Sequence, residues 1–163
     1  MHIFKNSIQQ QIRLLFPLVF LYFLIIAASY FFKFNLNNKG FLYVLIFILL
    51  ADTLPTIIVH IQYLIANSGA ILQINTESKE ILYKTSKITV EKPFSDIISF
   101  KYYRSYAKRS GWHSFGQYRY YKIIFTDKTK IVITCLLIND IENTLENLLR
   151  LSAEKRVRLV CFL

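Results

Sequence analysis

Residues 101–122 combine cationic and aromatic side chains and contain no acidic residue. Guanidinium groups bind phosphate through paired N–H donors, and aromatic rings stack on nucleobases. This basic–aromatic segment therefore predicts a site for an anionic ligand, with a nucleotide as the favoured class and an anionic lipid headgroup as the other. The candidate ligand-binding residues are Arg104, Lys108, Arg109, Trp112, His113 and Arg119.

The same segment is open to two other interpretations. Each Lys or Arg that approaches the anionic inner leaflet of a bilayer contributes about 1 kcal/mol, and Trp prefers the headgroup level. Alternating tyrosines are also good sheet formers, and we favour this structural role for Tyr102, Tyr120 and Tyr121. We expect no binding of long nucleic acid beside a membrane.

A second candidate site lies inside a long apolar stretch. Asp52, Thr56 and His60 recur every four residues, so they share one face of a helix. Pro55 should distort that helix. An ionisable residue at membrane depth indicates a functional site by default. For Asp52 three roles stay open: a protonated acid, a partner of Thr56, or a contact with a neighbouring hairpin. His60 alternatively lies at the membrane interface.

The motifs of common enzymes do not occur in this sequence. With four glycines there is no glycine-rich phosphate loop, and neither Cys-x-x-Cys nor His-Glu-x-x-His is present. We expect no enzyme activity, no cofactor and no metal site, and we assign Cys135 to the core. A membrane hydrolase would require Cys135, His113 and Asp127 to meet in space.

The elements that position these residues begin with two apolar stretches. Hydrophobic residues make up 54% of the 163 residues and charged residues 18%. Residues 14–32 carry no charge, residues 41–66 carry only Asp52, and both are long enough to cross a bilayer. Residues 33–40 form a polar turn between them. Residues 1–67 are thus predicted to form a two-helix transmembrane hairpin, with both termini cytoplasmic because Lys and Arg exceed the acids after residue 67.

Residues 68–163 are predicted to form a small antiparallel β domain. Alternating apolar residues predict strands at 71–75, 80–84, 88–90, 97–103, 118–126 and 130–138. A helix follows, with Asn139 as its N-cap and Glu142 completing a capping box. Residues 157–163 are either a last strand or an amphipathic tail. The expected fold is a curled sheet or partly open barrel with one C-terminal helix.

Residues 94–100 (FSDIISF), residues 121–137 (YKIIFTDKTKIVITCLL) and the helix after them resemble bacterial pleckstrin-homology-like (PH-like) domains that follow pairs of transmembrane helices. The layout also resembles the two-transmembrane, β-strand-rich effectors of CBASS-type antiphage systems. That resemblance implies a β domain that binds a cyclic oligonucleotide and a membrane part that assembles and breaches the inner membrane. We therefore expect a non-enzymatic, homo-oligomeric effector of the bacterial inner membrane, or alternatively a PH-like scaffold in a larger membrane complex.

Overall fold

The computed structural model describes residues 1–31, 39–106 and 113–163. The predicted polar turn lies mainly outside the described residues, although Lys39 and Gly40 already belong to the second helix. Three of the candidate ligand-binding residues, Lys108, Arg109 and Trp112, also lie outside them.

Two four-stranded sheets form the β-rich part of the molecule. The first sheet is antiparallel and contains, in spatial order, β1 (His2–Lys5), β2 (Ile71–Asn75), β3 (Glu80–Lys84) and β4 (Thr89–Pro93). The second sheet contains β5 (Ile97–Ser105), β6 (Arg119–Phe125), β7 (Lys130–Thr134) and β8 (Glu154–Arg158), in the order β7-β6-β5-β8. Only β8 runs parallel to its neighbour, β5. The antiparallel sheets and a helix after β7 agree with the predicted fold class.

The helical pair is inserted between two neighbouring strands of the first sheet. It consists of α1 (Ile8–Phe31), α2 (Lys39–Ile48), a π turn (Leu49–Thr53) and α3 (Leu54–Ala66). The flanking strands β1 and β2 pair with each other up to Lys5 and Ile71, so both ends of the pair are fixed to one edge of the sheet. β1 was not predicted, because four residues are too few to display a period of two.

The π turn lies directly before Pro55, where the sequence predicted a distortion. Proline has no N–H to donate, so the regular helical register fails at this point. The N–H of Leu54 instead donates to the carbonyl of Leu49, five residues back. Such single π turns within helices are frequent at functional sites.

The ends of the last elements differ from the prediction. β7 ends at Thr134 rather than at residue 138, since the hydroxyl of Thr134 accepts the N–H of Leu136 and turns the chain. The helix α4 (Ile141–Leu149) has Asp140 at its N-cap, whereas Asn139 was predicted there. The capping box is absent because Glu142 instead accepts from the Tyr102 hydroxyl and from Lys155. The last strand spans 154–158, not 157–163.

One hydrophobic core joins the two sheets, α4 and the inner face of α3. Tyr102, Tyr120 and Tyr121 are buried in it, as their structural interpretation predicted. The rings of Phe100 and Tyr121 stack at 4.6 Å, and those of Tyr102 and Tyr121 at 4.8 Å. These stacked cross-strand rings fix the register of β5 on β6.

The helical pair buries little of its own surface. The most apolar 18-residue windows within residues 8–30 and 39–66 have mean hydropathies of 2.2 and 2.3, and by length and composition each helix could cross a membrane. Among residues 8–30 only Leu14 and Leu18 are buried, and α2 buries none of its residues. Both helices therefore present large apolar faces that water would solvate poorly.

Candidate functional site

The carboxylate of Asp52 joins the helical pair to the β domain. Asp52 lies in the π turn and is only 5% exposed. One carboxylate oxygen accepts the backbone N–H of Ser114 at 2.8 Å, and the other accepts the Ser114 hydroxyl at 2.8 Å. Nδ1 of His113 lies 3.5 Å from the first oxygen and forms an ion pair with it only when the imidazole is protonated. We call the bonds between Asp52 and Ser114 the Asp52 contact.

Local backbone structure positions both partners of this contact. Ser114 begins a 3-10 turn, Ser114–Gln117, that lies within the basic–aromatic segment and directly precedes β6. The hydroxyl of Thr56 donates to the Asp52 carbonyl at 2.6 Å, which satisfies one acceptor near the irregular turn. The hydroxyls of Tyr22 and Thr53 are 2.8 Å apart, so α1 is also tied to the π turn. The polar face predicted at Asp52 and Thr56 therefore packs against the β domain.

The rest of this helical face packs on the same domain. Nδ1 of His60 lies 2.8 Å from the Tyr118 hydroxyl, and His60 is buried rather than placed at an interface. The Tyr63 hydroxyl donates to the carbonyl of Cys161 at 3.0 Å. At the end of α3, the Asn67 amide bonds the hydroxyl of Thr134. The helix thus contacts the second sheet and the C-terminal segment along its whole length.

Ser114, Asp52 and His113 are adjacent, but they are not arranged as a catalytic triad. In a triad the histidine lies between the serine and the acid, so that it can take the hydroxyl proton. Here the carboxylate lies between the other two, and the Ser114 hydroxyl donates to it. The geometry supports a structural connection.

The cluster that a hydrolase would require does not form at the three residues predicted for it. Cys135 is buried after β7, and burial raises the pKa of its thiol to about 11. Asp127 lies in the β6–β7 turn, where its bond to Lys92 lowers the pKa of the carboxyl to about 2. His113 faces Asp52 instead. Within the described ranges no three His, Cys, Asp or Glu residues are grouped as metal ligands would be.

The described cations of the predicted ligand site lie on neighbouring strands. Arg104 on β5 is directly opposite Arg119 on β6, so their side chains leave the same face of the sheet. Both are partly buried. Nη2 of Arg119 donates to the Asn139 carbonyl at 3.3 Å. His113 lies beside Asp52.

Sequence reasoning missed Ser114 and Tyr118, which supply the partners of Asp52 and His60. A serine in a long loop carries no signal of its type or spacing, and Tyr118 was counted only as one of many aromatic residues. Their roles follow from the fold, which brings residues about sixty positions apart into contact.

A family model described as a PH domain matches residues 3–146. No curated protein and no solved structure was found to match the chain. The matched range begins in β1, includes the helical pair and both sheets, and ends within α4. The observed order of two sheets followed by a helix agrees with this match. The chain belongs to the PH domain family, and a pair of long apolar helices is inserted between the first two strands of its fold.

Proposed function

We propose that this protein is a non-enzymatic membrane sensor. Its PH-like domain binds an anionic ligand and thereby controls how the helical pair lies in the bilayer. The observation that supports this proposal most strongly is the Asp52 contact. Ser114 lies within the basic–aromatic segment that carries the candidate ligand-binding residues, and it bonds a carboxylate in the middle of the second apolar helix.

The lengths of the helices indicate how the Asp52 contact limits the insertion of the helical pair into a bilayer. Among residues 8–30 the last buried residue is Leu18, and the first buried residue of the second helix is Asp52. Beyond these two residues each helix extends about 20 Å, at about 1.5 Å per residue. A bilayer core is roughly 30 Å thick. While the domain is docked, the pair therefore enters the bilayer only partway, and a full crossing requires the domain to separate from it.

The proposed control requires a ligand that binds the docked and separated states differently. A ligand at Arg104, Arg119 or His113 would lie within one strand or one turn of Ser114. Separation leaves Asp52 without its two donors, and an unpaired carboxylate at this depth is costly. The contact therefore provides an energetic barrier that a bound ligand can raise or lower.

The more specific parts of the proposal follow from the resemblances. We propose a nucleotide second messenger as the ligand, the bacterial inner membrane as the location with both termini cytoplasmic, and antiphage defence as the setting. Homo-oligomerisation is proposed because side chains such as Phe16, Phe23 and Phe47 are all more than 60% exposed on the helical pair. A second copy or lipid must cover such a surface.

The experiment uses the full chain reconstituted in vesicles that contain a fluorescent dye. We expect Asp52→Ala to release dye and to increase cross-linked oligomers without ligand, because the helical pair is no longer held by Ser114. Ser95→Ala is the matched control, since its hydroxyl makes only an exposed bond to the adjacent Asp96. A panel of cyclic dinucleotides is then added to the unaltered chain. If neither the variant nor any nucleotide changes dye release or oligomer size, the effector function is wrong.

A scaffold function is the second candidate, and β8 favours it. This strand is exposed throughout, forms the edge of the second sheet and carries Lys155, Arg156 and Arg158. Partner proteins bind such edges by adding a strand. Capture of an acidic partner that is lost when Val157 is replaced by Pro, with dye release unaffected, would favour this function.

A further inference from the structure

A cleft of about 310 Å³ separates the first turns of α1 from the second sheet. α1 supplies one wall of the cleft, and the residues around β6 and β7 supply the other. Its volume is at the lower end of the range for small-molecule sites, roughly 300–1,000 Å³. The residues that line it are Gln10, Arg13, Leu14, Gln117, Arg119, Cys135 and Asn139.

Two arginines from distant parts of the chain meet at this cleft. Nη1 of Arg13 donates to the side-chain oxygen of Asn139 at 2.8 Å, and Nη2 of Arg119 donates to the carbonyl of the same residue at 3.3 Å. Among the described residues neither guanidinium forms an ion pair, and no acidic residue lines the cleft. Burial raises the pKa of Cys135 to about 11, so its thiol adds no negative charge at neutral pH. The cleft is therefore cationic.

Two buried polar atoms of the lining residues lack a partner in the described part of the chain. They are Nε of Arg119, a donor, and Oε1 of Gln10, an acceptor. A buried polar atom without a partner costs free energy that a bound molecule can recover. A ligand that pairs both atoms needs an anionic acceptor for the arginine and a hydroxyl donor for the glutamine.

We propose that this cleft binds the phosphate group of a hydroxylated phosphate ester, held between Arg13 and Arg119. Arginine presents paired donors that match phosphate oxygens. This inference rests on the proposed anion-binding function and names the chemistry of the ligand and the residues that hold it. Because Arg13 belongs to α1 and Arg119 to β6, the bound phosphate would also hold α1 on the domain.

Two sources could supply this group. Arg13 immediately precedes the uncharged apolar stretch that starts at Leu14, a position at which lipid headgroups lie. A phosphatidylglycerol headgroup and a soluble phosphate ester therefore share the required chemistry. The experiment has one arm for each source.

The soluble arm measures binding of glycerol 3-phosphate to the full chain in a non-ionic detergent, by the shift of its thermal unfolding at constant ionic strength. The lipid arm measures flotation with phosphatidylcholine vesicles that contain or lack phosphatidylglycerol. We expect Arg13→Gln and Arg119→Gln each to weaken binding about tenfold or more, as for a lost charge-assisted hydrogen bond. Lys122→Gln is the matched control because it removes the same charge from β6 at a residue that does not line the cleft.

Arg119→Lys keeps the charge but lacks the paired donors, so it should bind less tightly than the unaltered chain and more tightly than Arg119→Gln. This graded series also identifies a variant that merely fails to fold, because its unfolding temperature falls without any probe. Loss in either arm that is specific to the two arginines supports the inference and identifies the source. Equal binding by all variants, or binding in neither arm, overturns it.

Failure of this inference is distinct from failure of the proposed function. If the arginine variants lose phosphate binding while Asp52→Ala leaves the membrane readouts unchanged, the phosphate site stands and the sensor function is wrong. If Asp52→Ala releases dye while no phosphate probe binds, the inference is wrong and the sensor has another ligand.

Discussion

The connection between domain and helices is concentrated in one carboxylate. Asp52 is the single charged residue of the apolar stretch 41–66, and its two carboxylate oxygens accept from the backbone N–H and the hydroxyl of Ser114. Hydrogen bonds to a charged acceptor are about twice as strong as neutral ones. The two bonds to Ser114 therefore stabilise the docked state, and removing their acceptor leaves two buried donors unpaired.

We predict that Asp52→Ala lowers the free energy of unfolding of the full chain in detergent by about 2 kcal/mol, because two buried donors lose their acceptor. Ser114→Ala should cost about 1–2 kcal/mol, since its N–H still donates. The double variant should cost less than the sum of the two, as for residues in direct contact. Chemical denaturation measures all three, with Glu77→Ala, an exposed acid in the turn between β2 and β3, as control. Strictly additive effects would show that the bond makes no contribution.

The two cysteines should be unreactive in the folded chain. Burial raises the pKa of Cys135 to about 11 and that of Cys161 to about 12. Alkylation requires the thiolate, which is scarce at pH 8 for thiols with such raised pKa values. We expect labelling by iodoacetamide at pH 8 to follow unfolding in denaturant, read by mass spectrometry. Rapid labelling of Cys135 in the native chain would contradict its core position and reopen a catalytic role.

At the scale of elements, the β domain depends on β1, a strand that precedes the helical pair in the sequence. β1 covers one edge of β2, and α3 buries Val59 and Tyr63 in the shared core. We predict that residues 68–163 alone do not unfold cooperatively, because they lack both. A variant in which a short turn replaces residues 6–70 restores the β1–β2 hairpin and should recover part of the cooperativity. Circular dichroism during heating distinguishes the two, and a sharp transition for residues 68–163 would show that β1 and α3 are dispensable.

Local patterns made most of these elements predictable, while the contacts between them were not. The strands β2, β3, β5 and β6 and the buried face of α4 follow from their periodicity. Pro55 indicated the distortion of the helix, because the absence of a backbone N–H is a property of the proline itself and does not depend on the fold. The partner of Asp52 could not be predicted, since it depends on how two sheets and an inserted helical pair pack. The prediction of Asn139 as the helix cap was wrong because of another distant contact. The side-chain oxygen of Asn139 accepts from Arg13, more than a hundred residues away, and the sequence does not reveal this contact.

For the whole molecule, burial of tyrosines and cysteines makes high pH destabilising. Besides the two thiols, burial raises the pKa of Tyr83 and of Tyr120 to about 12. Each group titrates in the unfolded chain at a lower pH, near 8.5 for cysteine and 10 for tyrosine. The unfolded state then binds fewer protons, so stability falls as the pH rises through this window. We expect the unfolding temperature to decline steadily between pH 9 and 12, following the tyrosinate absorbance, and a flat profile would contradict the burial of these groups.

The most direct test of the account measures how deeply α1 lies in the bilayer. Phe16 is on its exposed face, between the buried Leu14 and Leu18, so Phe16→Trp in a Trp112→Phe background reports the depth of that turn. Lipids brominated near the headgroup end of their acyl chains quench a Trp at this turn only once it has entered the acyl region. With the Asp52 contact intact we predict weak quenching, and with Asp52→Ala we predict strong quenching, because the released pair crosses fully. Equal quenching in the two chains would contradict the claim that this contact controls the helical pair.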